Sequence, residues 1–295
     1  MNGLRLSGVI AALPTPVTED HRPDIPRFVA LARRLLDDGC DALNVCGTTG
    51  EATSMSVAQR ALVMSAAVAA LPRERLMVGT GAAAVEDAVA LTRLAAGLGF
   101  AGALLLPPFY YKGVPKEGVV AYIEAVARAT ADCPIPLYLY HFPALSGAPY
   151  SPELVAELRR CVPGRIVGLK DSSGDLDYAR KVAAIAKDFA VFPSNEATLL
   201  EARGGTFAGC ISATATLNSA FCAKAWRTGD AAAQATATAI RVLVSAGPLI
   251  PRIKAVAADM MGDPAYAAVL PPMAALPADE ATALATAVRR LAAAT

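Results

Sequence analysis

Short apolar segments alternate with longer segments of helical periodicity eight times in this chain, and no other feature constrains its fold as strongly. Apolar runs of this length between amphipathic helices are typical of a parallel β-sheet, because parallel strands need a crossover helix between them. Eight successive strand–helix units close most simply into a (β/α)8 barrel, the TIM-barrel architecture of the α/β class. The predicted strands cover residues 8–13, 42–46, 76–79, 101–106, 135–140, 166–170, 190–192 and 208–212.

The last part of the chain has a different pattern. From residue 230 onward the periodicity is helical, over residues 231–246, 250–261 and 278–293, with prolines between these segments. No stretch rich in glycine, serine or charge separates this part from the rest. We therefore predict a single domain over residues 1–295, with the barrel in residues 1–229 and a C-terminal helical extension in residues 230–295.

The composition excludes several classes of protein. Apolar residues make up 55% of the chain and charged residues 18%, which is incompatible with a disordered protein. The net charge of +1 is spread without runs, so we expect no nucleic-acid partner. We also expect no membrane partner, because the longest apolar run is shorter than the roughly 18 residues of a membrane span. Residues 1–5 do not begin a signal peptide, so the expected location is cytoplasmic.

The sequence does not indicate a metal or cofactor site. Its two histidines, His21 and His141, are too few for a His-rich metal centre. The six cysteines form no C-x-x-C pair and lie in apolar surroundings, as buried reduced thiols do. Residues 79–84, G-T-G-A-A-A, match a dinucleotide-binding turn, but the acidic residue expected about 20 positions later is absent. We predict no metal and no cofactor, and dinucleotide binding is kept as an alternative.

Lys170 is the first candidate for chemistry, because the working residues of such a barrel lie at the carboxyl ends of its strands. It ends the sixth predicted strand and is followed by D-S-S-G, whereas most of the other six lysines lie on loops or among charged helix positions. Desolvation at this position disfavours the ammonium form and leaves the amine free to attack a carbonyl. A structural lysine that snorkels or forms an ion pair is the alternative.

The loop after the second predicted strand is the second candidate. Residues 47–51 read G-T-T-G-E, so two glycines permit a tight turn around Thr48 and Thr49. Hydroxyls and backbone amides that converge before a helix form a cradle for a carboxylate or a phosphate. An ordinary glycine-containing turn is the alternative.

Aromatic residues follow the fourth and fifth predicted strands. Tyr138 and Tyr140 lie on the same face of the fifth strand, and periodicity does not distinguish them, but Tyr140 is nearer the mouth of the barrel. His141 is predicted to be a packed structural residue rather than a base. Tyr110 and Tyr111 belong to a long loop. Three roles stay open for them: lining a pocket, forming an oligomer interface, or packing within the loop.

Four segments together resemble the dihydrodipicolinate synthase/N-acetylneuraminate lyase family of class I, Schiff-base aldolases. The resemblance extends from about residue 6 to near the C-terminus, with the motifs in the family's order and at barrel spacing. The matching segments are G-T-T-G-E at 47–51, Y-H-F-P-A-L-S-G at 140–147, G-L-K-D at 168–171 and G-C-I-S at 209–212.

The resemblance implies a role for each matching position. Lys170 forms a Schiff base with the C2 carbonyl of a 2-oxo acid, and Tyr140 relays protons with the help of Thr48. Thr49 holds the pyruvoyl carboxylate and Ile211 contributes its backbone carbonyl nearby. The implied partners are therefore a 2-oxo acid with a pyruvate moiety and an aldehyde.

The resemblance also implies an assembly. Tyr110 matches a tyrosine that reaches across a subunit interface into the neighbour's site. A homotetramer, built as a dimer of dimers, is therefore expected.

Departures from the family pattern bear on the substrate. Leu145 stands where the synthase branch has an arginine that binds the carboxylate of the aldehyde substrate, and leucine cannot make that pair. Sialic-acid lyases share the leucine but carry an acidic pair after the seventh strand, where this chain has only Glu196. The pattern is most similar to the 2-keto-3-deoxy sugar-acid aldolases. We therefore expect Ser194, Glu196 and Ser212 to form hydrogen bonds with a neutral, hydroxylated aldehyde.

Two alternatives to the sugar-acid aldolase remain. The first is 4-hydroxy-tetrahydrodipicolinate synthase, which condenses pyruvate with aspartate semialdehyde. The second is a catalytically silent protein that binds a 2-oxo acid.

Overall fold

The computed structural model describes residues 6–294 and confirms the predicted barrel. Eight parallel strands form one sheet, and each of them overlaps a predicted strand. The prediction about residues 1–5 lies outside the described residues. The strands are β1 (Gly8–Ala12), β2 (Ala42–Val45), β3 (Leu76–Gly79), β4 (Gly102–Leu105), β5 (Leu137–His141), β6 (Ile166–Asp171), β7 (Ala190–Pro193) and β8 (Gly209–Ser212).

The sheet curves until its two ends meet. The strands from β1 to β7 pair in chain order, and β1 also pairs in parallel with β8. At the remaining edge the backbone N–H of Ala208, just before β8, donates to the carbonyl of Val191 on β7 at 2.9 Å. All eight carboxyl ends therefore open at one mouth.

Helices connect the strands and continue beyond the last one. Local signals set several helix starts: Asp24 caps the first helix, and Ser56 with Gln59 forms a capping box at the second. The helices are α1 (Ile25–Asp37), α2 (Val57–Ala70), α3 (Val85–Leu98), α4 (Lys116–Ala129), α5 (Pro143–Ser146), α6 (Pro152–Cys161), α7 (Leu176–Ala183), α8 (Leu199–Arg203), α9 (Ala215–Thr228), α10 (Ala231–Ser245), α11 (Leu249–Met261) and α12 (Ala278–Ala293).

Strand alternation divides the core into an inner and an outer layer. Ile10 on β1 packs inside the barrel with Met77, Tyr138 and Ile211, whereas its neighbour Val9 packs outward against the helices. Successive side chains of a strand point to opposite faces, so one strand contributes to both layers. The barrel interior is consequently filled below the mouth.

The C-terminal helices form a third cluster. Ile240 and Val244 of α10 pack against Ile253 of α11 and Leu284 of α12. The helices start and end within one residue of the predicted bounds. Among residues 6–294 no single helix is long and apolar enough to cross a membrane, although α10 and α11, bent by 119°, meet that length and composition together.

One expectation about the cysteines is wrong. Cys40, Cys46, Cys210 and Cys222 are buried as predicted, and Cys133 is half-buried, but Cys161 is exposed. Cys161 is the last residue of α6, and its buried neighbour Val162 does not cover it.

Candidate active site

Tyr140 and Lys170 lie side by side at the mouth of the barrel. They are directly paired in the register of β5 and β6, so their side chains leave the sheet on the same face. The Lys170 Nζ lies 4.4 Å from the centre of the Tyr140 ring, and both residues are 4% exposed. The structure thus brings together the two residues that the sequence assigned to the chemistry.

The structure also separates Tyr140 from Tyr138. Tyr138 lies one layer deeper, against Phe192, with ring centres 6.1 Å apart. Its ring fits between Gly102 and Gly168, where an added Cβ would lie 2.6 Å and 2.7 Å from ring atoms. Tyr138 is therefore a packing residue of the barrel, and Tyr140 is the tyrosine that reaches the mouth.

Thr48 and Thr49 lie opposite this pair, in the turn after β2. The Thr48 Oγ1 is 3.3 Å from the Tyr140 hydroxyl oxygen. The amides of Gly50 and Glu51 close the turn by donating to the carbonyls of Gly47 and Thr48, at 3.1 Å and 3.0 Å. The amides of Thr48 and Thr49 make no backbone hydrogen bond in the part of the chain that the structure describes. They remain available to an anion, as a carboxylate cradle requires.

A cavity of about 680 Å³ opens at this point and joins the predicted residues. Lys170, Tyr140, Thr48 and Thr49 line it, as do Leu145 and Ser194, and Leu145 contributes an uncharged side chain that is 52% exposed. The Ile211 side chain is fully buried below, in the inner layer of the barrel. Apolar residues of the C-terminal extension complete the wall: Pro248, Leu249, Ile250, Pro251, Met273 and Ala274.

Glu196 and Ser212 lie behind the cavity wall rather than in it. Glu196 is fully buried, and its Oε1 accepts hydrogen bonds from Ser212 Oγ at 2.8 Å and from Thr214 Oγ1. Arg241 of α10 lies between this carboxylate and the cavity, with its Nη1 3.2 Å from Glu196 Oε2. The structure therefore does not bring Glu196 and Ser212 into the cavity wall, and their polar atoms are paired with Arg241 and with each other.

Sequence reasoning missed Arg241 because nothing local distinguishes it. It lies in an amphipathic helix, 45 residues after Glu196, with no motif around it. Only the packing of α10 against the loops after β7 and β8 brings it to the cavity.

A buried ion pair supports the carboxylate cradle and was also missed. Glu51, at a left-handed φ of 57°, accepts a hydrogen bond from the Lys254 ammonium, and both side chains are at most 1% exposed. The backbone N–H of Leu270 donates to the same carboxylate at 2.6 Å, and Lys254 also donates to the carbonyl of Ala268 at 2.6 Å. Lys254 is thus not one of the exposed helix lysines, and it connects α11 to the turn that carries Thr48.

His141 is packed, as the sequence predicted. Its Nδ1 accepts a hydrogen bond from the backbone N–H of Tyr150 at 3.1 Å, and its ring stacks on Tyr178 with centres 4.3 Å apart. Burial lowers the pKa of His141 to about 4. The imidazole is therefore neutral near pH 7 and lies outside the catalytic group.

Tyr110 and Tyr111 do not reach the cavity of their own chain. They are 73% and 75% exposed, and their rings contact each other edge to face at 5.3 Å. Two adjacent exposed aromatic side chains are unusual on a free surface and typical of an interface.

The small residues at positions 79–84 have a packing explanation. An added Cβ on Gly79 would lie 2.3 Å from the carbonyl oxygen of Cys46, and one on Gly81 would lie 2.7 Å from Leu106. Close contact with the neighbouring turns therefore accounts for these glycines without a dinucleotide. Among residues 6–294 no group of three or more His, Cys, Asp or Glu side chains is placed to hold a metal ion.

Sequence comparison identifies relatives over nearly the whole chain. The sequence model of the dihydrodipicolinate synthetase family matches residues 5–291. An uncharacterised DapA-like lyase from Chloroflexus aurantiacus is 34% identical over 298 aligned residues, which cover 98% of each chain.

Solved structures share the architecture. A dihydrodipicolinate synthase from Agrobacterium tumefaciens superposes with a TM-score of 0.90 at 28% identity, covering 97% of this chain and 99% of that one. A prophage protein of the dihydrodipicolinic acid synthase family from Escherichia coli K12, solved in complex with pyruvate, has a TM-score of 0.87 at 27% identity with the same coverage.

Proposed function

The chain belongs to the dihydrodipicolinate synthetase family of pyruvate-dependent lyases, and from this we propose that it is a class I aldolase. The proposed reaction is the reversible cleavage of a 2-keto-3-deoxy sugar acid to pyruvate and an aldehyde, through a Schiff base on Lys170. The observation that carries the proposal is the convergence of Lys170, Tyr140 and Thr48 on one cavity beside a carboxylate cradle.

Imine formation uses the buried amine of Lys170. The Nζ attacks C2 of the 2-oxo acid, and uptake of one proton with loss of one water molecule leaves a protonated imine. The carboxylate next to C2 is held by the free amides and hydroxyls of Thr48 and Thr49, which orients the carbonyl toward Lys170.

Bond cleavage follows from the imine. The C3–C4 bond breaks, its electron pair moves toward the imine nitrogen to give an enamine, and the C4 hydroxyl loses its proton to become an aldehyde. The Tyr140 hydroxyl oxygen takes up that proton while its own proton passes by way of Thr48, whose Oγ1 is 3.3 Å away, to solvent. Protonation of the enamine at C3 and hydrolysis of the imine then release pyruvate and free Lys170.

Trapping the imine tests the proposal. We expect sodium borohydride with pyruvate to add the mass of one reduced pyruvate to the intact chain, and Lys170→Met to abolish this adduct. Lys187→Met is the matched control, because Lys187 is exposed and remote from the cavity, and it should keep the adduct. An unmodified wild-type chain, or an adduct that persists in Lys170→Met, refutes the assignment.

Turnover assays on one protein preparation distinguish the sugar-acid aldolase from the synthase and from the 2-oxo-acid binder. We expect pyruvate release from 2-keto-3-deoxygluconate with a higher kcat/KM than pyruvate condensation onto aspartate semialdehyde, because Leu145 offers that substrate no cation. Faster condensation assigns the synthase activity instead. An adduct without turnover of either substrate identifies a 2-oxo-acid binder.

A further inference from the structure

Arg241 is a cation of the cavity wall that the proposed chemistry does not use. Its side chain is 25% exposed, and it lines the cavity with Ser194 and Asn195 at the side where β7 and β8 end. Among the described residues the protein engages only Nη1, which lies 3.2 Å from Ser212 Oγ and 3.4 Å from Thr214 Oγ1 in addition to Glu196. A guanidinium has five N–H donors, and those on Nε and Nη2 have no partner among residues 6–294.

Glu196 occupies one nitrogen of Arg241 and leaves the donors on Nε and Nη2 free among residues 6–294. Its Oε1 is stabilised by neutral donors, namely the hydroxyls of Ser212 and Thr214 and the Asn218 amide at 3.4 Å. The contacts of Nη1 hold the guanidinium in one orientation before any ligand arrives. A preorganised donor loses less conformational entropy on binding than a free surface arginine does.

Apolar residues of the same cavity strengthen an ionic contact at this position. Leu145, Leu249, Ile250 and Met273 line the same cavity and carry no polar side-chain donor. Apolar walls exclude water and lower the local dielectric constant, so an ion pair formed here is stronger than one at the surface.

We propose that Arg241 binds an anionic group, a carboxylate or a phosphate, at the end of the substrate that is distant from the pyruvoyl carboxylate. The inference rests on the proposed aldol cleavage and defines its substrate class as 2-keto-3-deoxy acids charged at both ends. Thr48 and Thr49 hold one anion, and the free donors of Arg241 hold the other in a forked arrangement.

This assignment replaces the neutral aldehyde that Leu145 suggested. The missing cation is supplied by α10 instead of by the loop after β5. Arg241 lies on the side of the cavity where β7 and β8 end and not at the position of Leu145, so it does not restore the contact that the synthase branch makes with aspartate semialdehyde.

The test compares three substrates that differ only at the distal end: 2-keto-3-deoxygluconate, its 6-phosphate and the corresponding acid with a terminal carboxylate. Pyruvate release gives kcat/KM for each. We expect the wild type to prefer one or both anionic substrates by about 10–100-fold, the range of a charge-assisted hydrogen-bonded pair. The two anionic arms distinguish a carboxylate site from a phosphate site.

Variants assign the preference to Arg241. Arg241→Gln should remove it, mainly through a higher KM for the anionic substrates, so that kcat/KM differs less than about threefold among the three substrates. Because that change leaves Glu196 buried beside a neutral group, the double variant Arg241→Gln/Glu196→Gln is measured as well and should behave alike. Arg128→Gln is the matched control, since Arg128 is exposed on α4, and the preference should survive it.

The outcomes separate this inference from the proposed function. A borohydride adduct with no preference for an anionic tail, or equal losses on all three substrates in Arg241→Gln, overturns the role of Arg241 alone. Absence of the adduct overturns both. Loss of the preference in the two Gln variants, with the adduct intact, supports the assignment.

Discussion

Removing the charge of Lys254 should destabilise the protein and loosen the carboxylate cradle. Lys254→Met fills the same space with an apolar side chain but leaves the Glu51 carboxylate with the Leu270 amide as its one remaining donor among residues 6–294. Both members of the pair are at most 1% exposed, so the remaining charge cannot be hydrated. Breaking a buried ion pair in this way costs about 3–5 kcal/mol.

The size of the protein converts this cost into a temperature shift. Unfolding entropy of about 2.1 cal/mol/K per residue gives roughly 0.6 kcal/mol/K for a chain of this length. The melting temperature of Lys254→Met should therefore fall by about 5–8 °C. The urea midpoint should fall with it, at an unchanged slope.

Two further variants make the interpretation specific. Glu51→Gln/Lys254→Met removes both charges and keeps an amide oxygen for the Leu270 N–H, so it should be more stable than Lys254→Met alone. Lys224→Met breaks the exposed pair with Asp230 and should leave the melting temperature unchanged. A Lys254→Met protein that melts like the wild type, or a double variant less stable than the single one, refutes the reasoning.

The same pair should influence substrate binding, because Glu51 directly follows the turn that carries Thr48 and Thr49. At a temperature where Lys254→Met is fully folded, we expect a higher KM for pyruvate in the condensation direction and a smaller change in kcat. An unchanged KM would limit the pair to a role in stability.

Three other predictions follow from the site and the surface. Tyr140→Phe should keep the borohydride adduct but lower kcat by about 10²–10⁴-fold, because the proton acceptor is lost and Lys170 remains; an undiminished kcat contradicts the proton relay. Since the His141 pKa is depressed to about 4 from about 6.5 in the unfolded chain, its contribution to stability is complete above pH 6.5 and declines as the pH falls toward 4. The loss at pH 5 is about 2 kcal/mol, and His141→Asn should flatten this pH dependence in urea titrations. Finally, the exposed Tyr110 and Tyr111 favour an assembly of at least a dimer, so light scattering should give more than 30.3 kDa, and Tyr110→Asp should lower the mass; a monomeric wild type at assay concentration excludes the assembly.

The alternation of apolar segments with amphipathic helical segments was sufficient to predict the barrel. Each of the eight strands overlaps its predicted segment, and Lys170 and Tyr140 come together because both end neighbouring strands. The end of a strand can be recognised from neighbouring residues alone, and in a barrel the carboxyl ends of all eight strands meet at one site. The choice between Tyr138 and Tyr140, in contrast, depended on depth within the barrel, which the alternation of side chains does not encode.

The sequence by itself determined the fold class, the strand order and the position of Lys170, since the spacing of apolar residues acts over a few neighbouring positions. Only the tertiary structure decided that Lys254 is buried against Glu51, 203 residues away, and that Arg241 lies between Glu196 and the cavity. Those contacts depend on where the C-terminal helices pack on the barrel mouth. That packing is set by many small apolar contacts between distant segments, and no short stretch of sequence carries its signature.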